Sequence, residues 1–233
     1  MKNQRIVFNK RPVGEPSDDC FRLEEVDVPE LREGQLLIKV GWLSLDPYMR
    51  GRMNDVKSYV EPLQIGDVMT GESTGVVVKS SSPHFNPGDH VAVHKGWQSY
   101  IVCDDNDPRL MKLDLANGTL SAHLGVVGMP GRTAYFGLNE VGKPQAGETL
   151  VVAAASGAVG SAVGQIAKIS GLRAVGIAGG ELKCAYVRDE LGFDDCIDYK
   201  AVGFDERLKQ ACPEGIDIYF ENVGGVVTKA VAP

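Results

Sequence analysis

The stretch ETLVVAAASGAVGSAVGQIAKISG, residues 148–171, constrains the fold more than any other part of this chain. A short, unbroken apolar run meets a turn of small residues. A segment of helical periodicity follows and stops at Gly171. A strand with apolar residues on both faces has to be covered on both faces, which is the situation of a strand in a parallel sheet. The alternation then continues. RAVGIAG (173–179) reads as a second strand and ELKCAYVRDELG (181–192) as a helix ending at Gly192. DDCIDYK (194–200) is a short third strand, FDERLKQAC (204–212) is helical, and GIDIYFENVGG (215–225) is a fourth strand with a glycine-rich exit. The last residues, VVTKAVAP, begin another helix. Strand and helix in alternation predict an α/β unit, a parallel sheet with helices on its faces. A doubly wound sheet commonly has about six strands. Four are counted before Pro233, so the sheet is expected to be truncated at its C-terminus.

The chain has a different character before residue 120. Short β-like runs occupy 35–45, 73–80, 89–103 and 110–114, punctuated by Glu33-Gly34 and by Pro87-Gly88-Asp89. A compact, largely antiparallel β domain is expected there, giving two domains, 1–125 and 126–233. With 43% apolar and 24% charged residues the composition is that of an ordinary globular protein. The formal charge of -7 is scattered and there is no lysine/arginine stripe, which argues against a nucleic-acid partner. The N-terminus lacks the apolar core of a signal peptide, and no run is long enough to span a membrane. A cytoplasmic enzyme or binding protein is the expectation. The five cysteines, Cys20, Cys103, Cys184, Cys196 and Cys212, are odd in number and form no C-x-x-C pair, so they read as ordinary thiols.

The glycine turn is a partial dinucleotide fingerprint. Aligned on G-x-G-x-x-G, it presents Ala155, Gly157 and Gly160, with the first glycine absent. Gly157 would let the backbone approach a pyrophosphate held at the helix N-terminus, and Gly160 and Gly164 would let that helix pack close to the sheet. The second strand decides which dinucleotide is bound. An NAD site places an acidic residue about 20 positions on, to hold the ribose 2′-hydroxyl. Here the strand ends in Ala178-Gly179-Gly180, and Glu181 falls into the next helix. Lys183, two residues further, is placed to meet a 2′-phosphate, whereas Arg173 stands at the opposite end of the strand. NADP is therefore favoured over NAD. A catalytic zinc site needs about three Cys, His or acidic ligands. The only histidines close together are His90 and His94, which would share one face of a strand with no cysteine near them in sequence, so no metal is expected.

These residues resemble a known family, the zinc-independent medium-chain reductases. More narrowly, they are similar to the NADP-dependent branch that includes prostaglandin, leukotriene and bacterial curcumin reductases. The resemblance rests on LSLDPYMRGRM (43–53), GDVMTGESTGVVV (66–78), LGVVGMPGRTAYFGL (124–138), the glycine turn, GIAGGELKCAY (176–186), GFDDCIDYK (192–200) and DIYFENVGG (217–225), which occur in the expected order. It implies a GroES-like β domain and a Rossmann-like domain with the active site in the cleft between them. It also implies NADPH-dependent reduction of the carbon–carbon double bond of α,β-unsaturated ketones or aldehydes. The zinc-dependent relatives carry a cysteine near the position of Asp46 and a histidine where Gly71 precedes Glu72, and both departures fit a metal-free reaction.

Carried onto this sequence, the resemblance assigns Gly157, Ala158, Val159 and Gly160 to the pyrophosphate turn, and Lys183 and Tyr199 to the 2′-phosphate. It assigns Asn222 to the neighbourhood of the cofactor, Met129 and Thr133 to the nicotinamide side, and Tyr48 and Tyr59 to the substrate cleft as catalytic candidates. Without the resemblance, Tyr48 reads as turn packing after Pro47 and Tyr59 as a surface aromatic. The family's C-terminal part completes the sheet, supplies a further substrate-side tyrosine and often pairs subunits. The 233-residue form is thus expected to lack part of the site, and a homodimer is expected only of a longer chain. Quinone reduction, a non-catalytic NADPH-binding protein and a zinc alcohol dehydrogenase are the competing readings.

Overall fold

The structure is a computed structural model that describes residues 1–57 and 60–231. Two compact units divide the chain, Met1–Leu124 and Gly125–Pro233.

The first unit is built on antiparallel strands. β1 (Lys2–Phe8) and β2 (Phe21–Asp27) form a hairpin in strict register. The sequence did not reveal this hairpin because its polar faces break the apolar pattern. Its cross-strand partners are instead charge-matched, Arg5 with Glu24 at 2.8 Å and Lys2 with Asp27 at 3.1 Å. After β3 (Gln35–Leu43) and the short helix α1 (Tyr48–Arg52) come β4 (Ser73–Ser80), β5 (His90–Val93), β6 (Tyr100–Asp104) and β7 (Met111–Lys112). They make a five-stranded sheet in the order β6-β3-β4-β5-β7, whose strand pairings are all antiparallel. Leu36, Ile38, Val77, Val91, Val93 and Ile101 form its buried core.

The single run expected over 89–103 is two strands. Residues 94–99 leave the sheet between β5 and β6 and pair instead with β1, where the Ile6 amide donates to the Trp97 carbonyl at 2.9 Å. Gly96 allows the excursion. Its φ is +84°, and a Cβ there would lie 2.0 Å from the Met69 carbonyl oxygen.

The second unit opens with α2 (Met129–Phe136), whose last turn widens and continues to Gly142. The expected alternation follows: β8 (Thr149–Ala153), α3 (Ala158–Ile169), β9 (Arg173–Ala178), α4 (Glu181–Ala185, extended to Glu190), β10 (Asp195–Asp198), α5 (Phe204–Ala211), β11 (Ile218–Phe220) and α6 (Val226–Val231). The four strands are parallel in the order β10-β9-β8-β11. α2, α3 and α4 cover one face through Ala134, Val163, Ala167 and Cys184, and α5 and α6 cover the other through Leu208, Ala211 and Val227. The architecture is a GroES-like β unit followed by a Rossmann-like parallel sheet, shorter than the full doubly wound form.

Gly164 has a different role from the one its spacing suggests. A Cβ there would fall 1.8 Å from Cζ of Phe193, so this glycine makes room for the aromatic ring that precedes β10. All five cysteines are free and buried.

Candidate functional site

The carboxyl ends of all four parallel strands open onto one cavity of about 470 Å³. The chain leaves β8 for the α3 face of the sheet and leaves its neighbour β11 for the α6 face. This divergence of adjacent connections is the switch point at which open α/β sheets take ligands.

The turn after β8 forms the floor of the cavity. Ala154 stands in the left-handed region at φ 50°, one residue before the position that the fingerprint aligns with its first glycine. The sharp bend therefore falls on Ala154, while Ala155 is fully buried and donates its amide to the Ile177 carbonyl at 3.0 Å. The Gly157 amide donates to the Ala154 carbonyl at 2.8 Å and closes the turn. Gly157 then caps α3 in an extended conformation with no side-chain bond to the helix. The amides of Ala158, Val159 and Gly160 belong to the first helical turn, where no intrahelical acceptor exists, so they are free to meet an anion. A Cβ on Gly160 would lie 2.3 Å from the Ala154 carbonyl oxygen, and one on Gly157 would lie 3.1 Å from it. Both glycines are what allow the helix to start this close to the strand end.

The far wall is cationic. Lys183, Tyr199 and Lys200 all line the cavity, and the Lys200 ammonium stands 5.8 Å from the centre of the Tyr199 ring. The nearby carboxylates are committed elsewhere. Glu181 is held by Arg188 at 2.5 Å. Asp198 accepts the amides of Gly180 and Lys200, each at 2.9 Å, and these bonds hold its carboxyl below the usual range. Lys200 did not emerge from the sequence. Its signal was the DYK tripeptide at the end of the third strand, where a second cation follows the tyrosine.

The turn after β11 forms the remaining wall. Asn222 donates from Nδ2 to the Ala153 carbonyl at 2.9 Å, tying this turn to the end of β8. Next to it, Glu221 accepts from the Tyr219 hydroxyl, the Thr228 hydroxyl and the amides of Val223 and Gly224, and these bonds pull its carboxyl down to about 2. Met129 and Thr133 lie on the first turns of α2, where the Thr133 hydroxyl faces the Met129 sulfur at 3.5 Å, and neither lines this cavity.

In the first unit Tyr48 opens α1 behind Pro47 and is half-buried. Its ring packs on His94 with centroids 6.2 Å apart and planes 27° apart. His94 Nε2 lies 3.0 Å from the Thr70 hydroxyl and 3.5 Å from the Tyr48 hydroxyl. Burial, with Asp46 and Glu72 nearby, pushes the Tyr48 phenol up to about 12. Burial, with Arg109 and Arg52 nearby, holds the His94 imidazole below its ordinary value. Tyr59 lies outside the described residues. His90 sits on β5, but His94 falls beyond its end, so the expected shared face of one strand is not what relates them. Among the described residues no three His, Cys, Asp or Glu side chains come together as a metal-binding set.

Comparison with known proteins gives a family. Residues 4–112 match a family described as the N-terminal domain of oxidoreductase, and residues 158–232 match one described as zinc-binding dehydrogenase. The chain is 52% identical over 232 residues to the NADPH-dependent curcumin reductase of Escherichia coli, covering 100% of this chain and 67% of that protein. It is 43% identical over 227 residues to prostaglandin reductase 1 of Mus musculus, covering 97% of this chain and 67% of the relative. The crystal structure of CurA from Vibrio vulnificus in complex with NADPH superposes with a TM-score of 0.92 at 50% identity, over 98% of this chain and 67% of that one. The chain thus spans about two thirds of the length of these relatives, and it belongs to the zinc-independent medium-chain reductases, in the branch of the curcumin and prostaglandin reductases.

Proposed function

We propose that the protein is an NADPH-dependent reductase of the carbon–carbon double bond of α,β-unsaturated ketones or aldehydes, acting without zinc. The observation that carries this reading is the cavity at the strand ends. Its floor is cleared of a side chain at Gly157, Gly160 lets α3 start close to the strand end, and its far wall sets two lysines against no uncommitted carboxylate from Glu181 or Asp198. Those residues fit a dinucleotide bearing a 2′-phosphate. The α3 amides would receive the pyrophosphate, and Lys183, Tyr199 and Lys200 would receive the 2′-phosphate. Close identity to a protein named as an NADPH-dependent curcumin reductase supports the substrate class.

NADPH, when bound, supplies the hydride. The chain's own task is to meet the negative charge that develops on the carbonyl oxygen of the enone as the double bond is reduced at its β-carbon. Tyr48 is the candidate donor. With its phenol pushed up to about 12 it keeps its proton at neutral pH, so it serves as a hydrogen-bond donor to an oxyanion and not as a base. Solvent then protonates the α-carbon. Tyr59 is the second cleft candidate, Met129 and Thr133 are assigned to the nicotinamide side, and residues 1–125 and 126–233 are the substrate and cofactor domains. The reading includes a cytoplasmic location and a homodimer of the longer protein, the latter tested by sedimentation.

The test is loss of NADPH absorbance on adding a simple trans-enone, with NADH alongside, for this chain and for a version extended to the length of its relatives. Turnover with NADPH is expected in the extended form. NADPH binding without turnover of any enone or quinone would favour a non-catalytic binding protein, and turnover of quinones alone would favour quinone reduction. Tyr48→Phe is expected to lower kcat of the extended form about 100-fold, and full retained turnover would remove Tyr48 from the mechanism.

A further inference from the structure

Two separate turns carry the cations of the strand-end cavity. Lys183 follows β9, and Tyr199 and Lys200 follow β10. The ladder between these strands ends with Asp198 opposite Ala178 and with the Tyr199 amide donating to the Ala178 carbonyl at 3.2 Å. Beyond that point one chain enters α4, and the other turns as the Ala201 amide donates back to the Asp198 carbonyl at 3.2 Å. A single carboxylate oxygen bridges the two. Asp198 Oδ1 accepts the Gly180 amide from the first turn and the Lys200 amide from the second, each at 2.9 Å. Both lengths are ordinary for N–H···O bonds, and an ionised carboxylate oxygen has room for two donors.

We propose that Asp198 is a positioning residue for cofactor selectivity: its carboxylate clamps the turn that leads to Lys183 against the turn that carries Tyr199 and Lys200, setting the spacing at which the two ammonium groups meet one 2′-phosphate. Each bond bears on one lysine. The Lys200 amide is held directly. Gly180 caps α4 at φ 97°, a conformation suited to glycine, and its carbonyl accepts the Lys183 amide at 3.1 Å, so the place of Gly180 sets that of Lys183. Gly179 brings the two turns into contact. A Cβ there would lie 2.9 Å from Tyr199 Cε1 and 3.1 Å from Lys200 Cε, so both side chains rest on the backbone that Asp198 holds. Asp198 does not itself line the strand-end cavity. It lines a separate cavity of about 290 Å³ with Arg188 and Arg207, and Arg207 donates to its carbonyl at 3.3 Å. Its negative charge is thereby set beside cations, while its two bonds act on the wall that would receive the phosphate. The selectivity half of the inference rests on that wall receiving the 2′-phosphate, while the clamp half does not.

The experiment therefore has two arms, both on this chain. Hydrogen exchange read by ¹H–¹⁵N NMR tests the clamp. The Gly180 and Lys200 amides are expected to exchange about tenfold faster in Asp198→Ala than in the parent, and unchanged exchange at both would overturn the clamp. Fluorescence titration with NADPH and with NADH tests selectivity. Asp198→Ala is expected to raise Kd for NADPH about tenfold and to leave Kd for NADH unchanged. Asp198→Asn keeps an acceptor oxygen at the same place and is expected to stay within about threefold of the parent. In a Lys183→Ala, Lys200→Ala background, Asp198→Ala is expected to have little further effect on NADPH. Equal losses for NADPH and NADH, or a full further loss in the double-lysine background, would overturn the role in selectivity. Tighter NADPH binding by both Asp198 variants would overturn it too, since the carboxylate would then act by repelling the phosphate. A parent that binds NADPH and NADH alike would refute the 2′-phosphate reading of the wall, and faster amide exchange in Asp198→Ala would still support the clamp.

Discussion

Replacing Lys183 by alanine removes one of the two ammonium groups from the far wall of the strand-end cavity, and its consequence should be specific to one cofactor. A phosphate monoester carries a charge of about −1.5 to −2 near neutrality. A unit charge about 4 Å from an ammonium is worth about 1 kcal/mol in water and about 4 kcal/mol at an effective dielectric constant of 20. Lys183 and Lys200 are both exposed side chains, so the low end applies, at about 1–2 kcal/mol per lysine once screening is allowed for. That corresponds to a rise in Kd for NADPH of about 5- to 30-fold. NADH, which has a hydroxyl in place of the phosphate, should bind the variant as it binds the parent. Lys200→Ala is expected to behave alike. The double variant is expected to reach about 100-fold, less than the product of the two, because both charges address one group. Fluorescence titration with the two cofactors measures this, and repeating it at high salt adds a second reading. Added salt should weaken NADPH binding by the parent and change little in the double variant, since ions screen exposed charges. Equal losses for NADPH and NADH, or no loss for NADPH, would refute the assignment of the cationic wall to the 2′-phosphate.

Gly164→Ala should destabilise the second unit by about 1–2 kcal/mol. With a Cβ 1.8 Å from the Phe193 ring, the overpacking falls at the upper end of a range of about 1–3 kcal/mol and outweighs a helix-propensity gain of about 1 kcal/mol, and Phe193→Leu should suppress the loss. Urea denaturation checks both, and a stabilised Gly164→Ala would contradict the packing. Ala154→Gly removes a side chain from the left-handed region and should raise stability by about 1 kcal/mol, seen as a higher urea midpoint with unchanged slope. Glu221 has a folded pKa lowered from 4.5 to about 2, so it contributes stability that is present above pH 4.5 and lost as pH falls toward 2. Glu221→Gln should flatten the acid-unfolding curve in that window and weaken NADPH binding by loosening the turn at Val223 and Gly224. An unchanged acid limb would mean that the carboxylate does not hold that turn.

Much of the second unit was legible because its strands are apolar on both faces and its helices stop at glycines. β8, α3, β9, α4, β10, α5 and β11 all fall where the alternation places them. The glycine turn was legible in outline but not in its strain. Sequence spacing points to Ala155 as the residue in place of the first glycine, while the bend itself is taken by Ala154, a fact set by the amide of Ala155 pairing with β9. The first unit was harder to read. β1 and β2 carry their specificity in paired charges across a hairpin, a long-range relation that local apolar patterning does not record. The excursion over 94–99 is likewise fixed by contacts to β1 and Met69 that are remote in sequence.

The same limit explains why Lys200 and the His94–Thr70 pair were missed while Lys183 was not. Lys183 follows from counting along one βαβ unit, so a rule about spacing finds it. Lys200 reaches the cavity only because β10 pairs with β9 in a register that sets Asp198 beside Ala178 and so brings the next residues to the same rim. His94 reaches Tyr48 only because the chain leaves the sheet after Val93 instead of running on to Ser99, which brings its ring against the phenol. In both halves the backbone-approach positions are written locally, in glycines, and the groups that would set selectivity and orientation are written in strand register. A substitution that shifts the register of β10 by one residue should therefore weaken the preference for NADPH over NADH about as much as Lys200→Ala does, while leaving Lys183, the glycine turn and its anion-facing amides intact.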